Sequence, residues 1–163
     1  MMAIEIKDAT PSDHAAWVTL WREYLAFYKV TLSAQVTDHT WARMLHPTSQ
    51  LSGRFAFVDG TMVGFAIHHH HASTWVAGDD CYLEDLYLSE AARGQGIGRA
   101  LIDDLINVSR QKSCKRLYWH TDKDNATARR LYDHYAREDG HVRYRMALTY
   151  AQKKTGARGP LFQ

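Results

Sequence analysis

Six short segments, in which apolar and polar residues alternate or apolar residues run together, predict six strands. They cover residues 4–7, 54–58, 62–67, 81–88, 116–121 and 141–148. Asp59-Gly60, between the second and third segments, predicts a tight two-residue hairpin. Strands joined by so short a connection indicate a sheet that contains an antiparallel meander.

In four other segments apolar residues recur every three or four positions, which predicts four helices. The first follows the turn and cap residues Thr10-Pro11-Ser12-Asp13 and ends at about Lys29. The other three run over residues 37–45, from about 96 to 112, and over 125–136. Strands and helices therefore interleave along the chain.

Composition places the chain among ordinary globular domains. It has 163 residues, of which 45% are hydrophobic and 23% charged, with a net charge of +2. We expect one domain over residues 1–150 and a loose tail over 151–163. The small charge argues against a nucleic-acid partner. The chain has no apolar run of the roughly 20 residues that span a bilayer and no signal-peptide pattern, which predicts no membrane partner and a cytoplasmic location.

A glycine-rich stretch precedes the third helix, and we call residues 93–99 (Arg-Gly-Gln-Gly-Ile-Gly-Arg) the glycine loop. Glycines at alternate positions let a ligand approach the backbone N–H groups. The start of a helix favours an anion such as a pyrophosphate, and Arg93 and Arg99 supply cations. No lysine follows the last glycine, which disfavours an ATP-binding P-loop, and the loop lies too deep in the chain for a dinucleotide fold.

The glycine loop resembles the Arg-x-x-Gly-x-Gly signature of the GNAT superfamily of N-acetyltransferases. Residues 83–88 resemble that family's fourth strand, and Asn125 to Tyr132 resemble its later helix with a catalytic tyrosine. The resemblance extends over roughly residues 4–148 and is best over 81–135. It implies a mixed α/β fold with a twisted, mostly antiparallel sheet of about six to seven strands. Such a sheet splays between strands four and five and is flanked by about four helices.

The resemblance also implies a cosubstrate, acetyl-coenzyme A, and the residues that hold it. The loop residues Arg93, Gly94, Gln95, Gly96, Ile97, Gly98 and Arg99 would bind its pyrophosphate. The backbone of Leu86 and Leu88 would contact the pantetheine arm, and Asn125 would contact coenzyme A. Tyr132 would donate a hydrogen bond or a proton to the sulfur, with Tyr135 as the alternative donor.

Glu84 and Asp85 interrupt an apolar strand, where unpaired carboxylates are costly to bury. The Leu-Glu-Asp pattern resembles the corresponding strand of diamine (spermidine/spermine-type) acetyltransferases, as does the loop that contains Trp75. A carboxylate there can hold a cationic amine and accept its proton, with Trp75 as a wall and Tyr24 or Tyr28 near the substrate. For Asp85, pairing with an arginine or capping a helix is an equally open role.

The resemblance implies direct transfer of acetyl to a primary amine of a small cationic substrate, diamine-like or amino-acid-like, without a covalent enzyme intermediate. Lys29 stands where a polyamine site would prefer acidic residues, so aminoglycoside and protein amines stay open as acceptors. The alternative from another class is a coenzyme-A-binding sensor without turnover. A homodimer is expected.

His68-His69-His70-His71 continues the third predicted strand, and Cys81 and Cys114 are the two cysteines. Along a strand, alternate side chains point to opposite faces, so His68 and His70 share one face. The spacing of these residues announces no further metal ligands. We therefore expect reduced structural thiols and no metal site.

Overall fold

The computed structural model describes residues 3–148. It contains one sheet of five strands, ordered as in the chain. Neighbouring strands are antiparallel, except that the last two are parallel. The strands are β1 (Ile4–Lys7), β2 (Leu51–Val58), β3 (Thr61–Ala72), β4 (Asp79–Leu88) and β5 (Arg116–Trp119). The fold is thus the mixed α/β class that the sequence predicted.

Four α-helices cover the sheet: α1 (His14–Phe27), α2 (Ala34–Leu45), α3 (Ile97–Gln111) and α4 (Ala126–Tyr132). On one face an aromatic core forms, in which Trp17 of α1 stacks 5.1 Å from Trp41 of α2 and packs in one cluster with Phe65 of β3. On the other face α3 buries Ile97 and Leu101. The two layers follow from the three- and four-residue spacing of apolar positions in these helices.

Helix boundaries differ from the prediction where local capping decides them. The second helix begins three residues early because the Ser33 side chain accepts a hydrogen bond from the Val36 N–H and caps it. The fourth ends at Tyr132 and continues only as turns. The hairpin at Asp59-Gly60 is confirmed, since both residues have positive φ angles of 48° and 79°.

A β-bulge interrupts β4 at Glu84. Ile67 of β3 pairs with Asp85, whereas the next residue, His68, pairs with Leu83, so Glu84 is an extra residue on β4. The extra residue changes the alternation of side chains, because Leu83 packs with the α3 core while Tyr87 packs with the α1 core. Sequence alone could not show this bulge.

The strands β4 and β5 pair only from Asp80–Arg116 to Leu83–Trp119. Beyond Leu83 none of the described residues forms a strand beside β4 on that side, so the strands part where the bulge begins. This agrees with the predicted splay between strands four and five. Within residues 3–148 the backbone of Leu86 and Leu88 therefore has no strand partner on the β5 side.

The prediction that residues 141–148 form a sheet-closing strand is wrong in the described chain. This segment has no strand structure, and its apolar side chains Val142, Tyr144, Met146 and Leu148 are exposed. The sheet consequently has five strands instead of six to seven. The homodimer stays a prediction.

The predicted tail, residues 151–163, lies outside the described part of the chain. Within residues 3–148, none of the helices has the length and apolar composition that crossing a membrane requires.

Candidate active site

The glycine loop exposes backbone N–H groups at the start of α3. Gly94 and Gly96 have positive φ angles of 74° and 82°, and a Cβ added at either would meet no atom within 4 Å. Gly96 is the N-cap, and the first helical hydrogen bond runs from the Ala100 N–H to its carbonyl. The N–H groups of residues 97–99 therefore have no acceptor within the helix and can bind an anion.

Gly98 differs from the other two glycines because it is buried. A Cβ there would lie 3.1 Å from Leu131 of α4 and 3.4 Å from Leu88 of β4. The missing side chain thus lets α4 approach α3 closely. The sequence pattern suggested one role for all three glycines. In the structure Gly98 instead serves the packing between α4 and α3.

The side chains of the glycine loop divide into anchored and exposed groups. Arg93 lies 5.7 Å from the ring centres of Phe27 and Tyr87, and its Nε donates to the Leu88 carbonyl at 3.4 Å. Gln95 Nε2 donates to the Ala91 carbonyl at 2.8 Å. The Ile97 side chain is buried, so only its backbone can reach a ligand, whereas Arg99 is exposed. Arg93 and Gln95 are thus held by contacts to neighbouring residues, although both are exposed.

Glu84 and Asp85, at the bulge, lie in very different surroundings. Asp85 is partly buried and accepts a hydrogen bond from the Tyr24 hydroxyl of α1. Burial raises the pKa of Asp85 to about 6, the Tyr24 hydrogen bond opposes the rise, and Glu84 adds to it. The Glu84 side chain is 46% exposed and lies 3.5 Å from His69 Nε2. The structure thus brings one buried and one exposed carboxyl to the place where β4 and β5 part.

An exposed group of aromatic and imidazole rings adjoins Glu84. The sequence did not reveal this group. The ring centres of Tyr82 and Tyr118 are 4.9 Å apart in a tilted arrangement, and the Tyr82 hydroxyl lies 3.1 Å from Nδ1 of His120. The ring centres of His69 and Tyr82 are 5.3 Å apart. The alternation of side chains along each strand could have placed some of these residues on one face. Which residues of β4 and β5 lie side by side depends on the register between the two strands, and the sequence does not give that register. This group, next to Glu84, offers faces for a cation.

Tyr28 and Asn125 line a cleft of about 690 Å³ between the end of α1 and the start of α4. Tyr132, at the other end of α4, is close enough to Tyr28 for that residue to affect its pKa. The Asn125 side chain accepts from the Ala128 N–H and caps α4. Tyr132 packs 5.3 Å from the Trp119 ring. Burial and then the neighbouring Tyr28 raise the pKa of Tyr132 to about 12.

Two predicted residues lie elsewhere. Trp75 is 80% exposed in the loop between β3 and β4, and that loop joins β4 five residues before Glu84, about 16 Å along a strand. The role of Trp75 as a wall of the amine site stays a prediction. The alternative donor Tyr135 is engaged on α3, since its hydroxyl lies 2.9 Å from Asp103 Oδ1 and 3.2 Å from the Arg99 carbonyl.

We expect Asp85→Asn to stabilise the fold at neutral and higher pH. The folded-state pKa of Asp85 is raised from 3.8 to about 6, so the protonated form is favoured by folding. That contribution is fully present below pH 3.8 and is lost as the pH rises through 6. The neutral amide keeps an acceptor for Tyr24, so the gain should reach up to about 3 kcal/mol above pH 7 and vanish near pH 4.

Urea unfolding of this variant at several pH values measures the gain, and Asp38→Asn, at an exposed position of α2, is the control. A pH-independent difference between Asp85→Asn and the native chain would contradict the raised pKa.

Open backbone N–H groups at the start of α3, beside a bulged β4 that parts from β5, are the arrangement expected of the α/β N-acetyltransferases. The acetyltransferase (GNAT) family model matches residues 15–136, and the chain belongs to this family. It is an acetyl-coenzyme-A-dependent N-acetyltransferase. Membership in this class of enzymes argues against the alternative of a coenzyme-A-binding sensor without turnover.

Two relatives resemble most of the chain. A D-amino-acid N-acetyltransferase of Saccharomyces cerevisiae is 35% identical over 144 residues, which cover 87% of this chain and 89% of the relative. A thialysine N-epsilon-acetyltransferase of Caenorhabditis elegans is 31% identical over 82% of each chain. Among solved structures, AAC(6')-Iy in complex with a bisubstrate analogue of coenzyme A has a TM-score of 0.78 and 16% identity. Its similarity covers 90% of this chain and 99% of that one, and supports the fold.

Proposed function

We propose that this enzyme transfers acetyl from acetyl-coenzyme A to a primary amine of a small cationic substrate by direct attack. The observation that carries the proposal is the pair Glu84 and Asp85 at the bulge, where β4 parts from β5. The names of two relatives, a D-amino-acid and a thialysine N-acetyltransferase, favour an amino-acid-like amine over a polyamine. Lys29, at the end of α1, supports the same preference because it is a cation near the cleft.

The residues present fit acetyl-coenzyme A. The open N–H groups of the glycine loop suit its pyrophosphate, and the unpaired side of β4 at Leu86 and Leu88 suits an amide-bearing arm. Asn125 lines the cleft between the end of α1 and the start of α4. The bound group supplies an activated acetyl thioester.

The two carboxyls divide the work on the amine. Glu84 is exposed and can attract and hold an ammonium group, while the half-buried Asp85 is suited to receive its proton. An alkyl amine of pKa ~10.4 is free base for only about one part in 2,500 at pH 7, so deprotonation is needed. A carboxyl of pKa about 6 is a stronger base than an ordinary one and stays largely ionised at pH 7.

Tyr132 serves the leaving sulfur as a hydrogen-bond donor. With its pKa at about 12 and a thiol at about 8.5, complete proton transfer to the thiolate is uphill by about 4 to 5 kcal/mol. Donation of a hydrogen bond stabilises the developing charge without that cost. The proton that ends on sulfur can then come from solvent or from the amine.

Release of coenzyme A thiol across a panel of amines tests this function. We expect turnover with amino acids and small diamines, and Glu84→Gln should raise the KM for a cationic amine about 10-fold, the loss of one charge-assisted contact. Glu5→Gln, an exposed carboxyl on β1, is the matched control. No release with any small amine would contradict the substrate class, and an equal KM in both variants would assign Glu84 a structural role.

A further inference from the structure

A second cluster of reactive side chains lies at the opposite end of β4 from the glycine loop. His68 and His70 extend from β3, and Cys81 of β4 is the cross-strand partner of His70. One ligand atom from each of the three residues lies within 4.8 Å of the others. Nitrogen and thiolate ligands are the set that zinc prefers, and in a tetrahedral site they are roughly 3.3–3.8 Å apart. A contraction of about 1 Å therefore suffices to close the cluster on one ion.

Unpaired polar atoms distinguish this cluster from histidines that simply fill a core. His68 is 1% exposed, and within residues 3–148 neither of its ring nitrogens has a hydrogen-bond partner. Nε2 of His70 is also buried and without a partner. Buried polar groups without partners are unfavourable. A cation that accepts one lone pair from each ring removes part of that cost, since the second nitrogen of His68 keeps its N–H.

Neighbouring side chains supply the outer contacts that metal ligands require. Nδ1 of His70 lies 2.9 Å from Sγ of Cys114, so its N–H can donate there while Nε2 stays free. Metal-bound histidines commonly donate their other N–H in this way. The Ser109 hydroxyl of α3, buried and unpaired, lies beside the Cys81 thiol and can donate to a thiolate.

We propose that His68, His70 and Cys81 bind one zinc ion, with His70 coordinating through Nε2 and held by Cys114. Solvent completes the coordination. Burial raises the pKa of Cys81, so the metal-free residue is a neutral thiol and binding releases its proton. Lys112 is nearby but exposed, which leaves its charge in water. The ion would tie β3 to β4 and strengthen the sheet near the end of α3.

Cobalt(II) titration of the reduced, untagged full chain tests the site. We expect about one ion per chain, with a thiolate-to-cobalt absorption band and visible bands of tetrahedral intensity, and displacement of cobalt by zinc. Zinc should also raise the melting temperature, because it binds the folded chain.

Four variants separate the assigned ligands from their neighbours. Cys81→Ser and His70→Asn should remove the thiolate band or weaken binding at least 100-fold, while Cys114→Ser should keep the band and lose 10- to 100-fold in affinity. His71→Asn is the control, since it lies on the opposite face of β3 and should bind as the native chain does. Circular dichroism establishes that each variant is folded, and His70→Asn repeats the test at a less buried position.

The assignment is overturned if the native chain gives no thiolate band. It is also overturned if that band survives in folded Cys81→Ser, or if His71→Asn alone abolishes binding, as surface coordination would require.

Discussion

Gly96→Val is expected to weaken coenzyme A binding by about 100-fold or more. Gly96 has a φ of 82°, a left-handed conformation that costs a β-branched residue about 1–3 kcal/mol. The new side chain would also enter the open space before α3, where the pyrophosphate is expected to approach the N–H groups. The strain lowers the stability of the fold, whereas the lost approach lowers affinity, by about 3 kcal/mol or 100-fold. Isothermal calorimetry with coenzyme A measures the loss.

Gly60→Val separates the strain from the lost approach. Gly60 has a φ of 79° and the same open surroundings, but it lies in the β2–β3 hairpin. Both variants should lose stability in urea, whereas only Gly96→Val should lose coenzyme A affinity. Equal affinities for the two variants would remove the glycine loop from the cosubstrate site.

Tyr132→Phe is expected to lower turnover by about 10- to 1,000-fold while fold and cosubstrate affinity survive. The substitution keeps the ring against Trp119 and removes only the hydroxyl. Loss of a single acid or charge-stabilising donor costs this much in a transition state. Steady-state release of coenzyme A gives the turnover, and calorimetry and thermal melting give the affinity and the stability.

Tyr135→Phe is the matched control for Tyr132. It removes a hydroxyl that lies against Asp103 on α3, so we expect about 1 kcal/mol less stability and unchanged turnover. Near-native turnover in Tyr132→Phe would exclude this tyrosine as the donor. A large loss in Tyr135→Phe would pass the role to that residue.

Much of the fold followed from local patterns. The hairpin at Asp59-Gly60 was predictable because a tight two-residue turn requires positive φ angles that such residues tolerate. The glycine loop was predictable because its chemistry resides in consecutive residues. The segment 141–148 was not, since an alternating pattern does not say which strand edge, if any, receives it.

The candidate site was harder to predict because it depends on contacts between distant segments. Glu84 and Asp85 are neighbours in sequence, yet the fold leaves Glu84 exposed and partly buries Asp85, which raises the pKa of Asp85 to about 6. The metal cluster likewise needed the β3–β4 register, which places Cys81 opposite His70. The alternation of side chains along β3 predicted that His68 and His70 share a face. It did not predict that the Cys81 thiol lies beside them.

Because of the bulge at Glu84, the number of residues in β4 decides which side chains point to each face of the sheet. Because side chains alternate with a period of two, one inserted or deleted residue between Leu83 and Leu88 would exchange the two faces of that stretch. Asp85 would turn toward α3, and Leu86 would turn toward Tyr24. A substitution in this stretch changes one side chain. A change of length instead reverses the side chains along the stretch, so the packing on both faces of the sheet changes at once. Variation in length among relatives should therefore fall in the loop between β3 and β4, far from the parted strands.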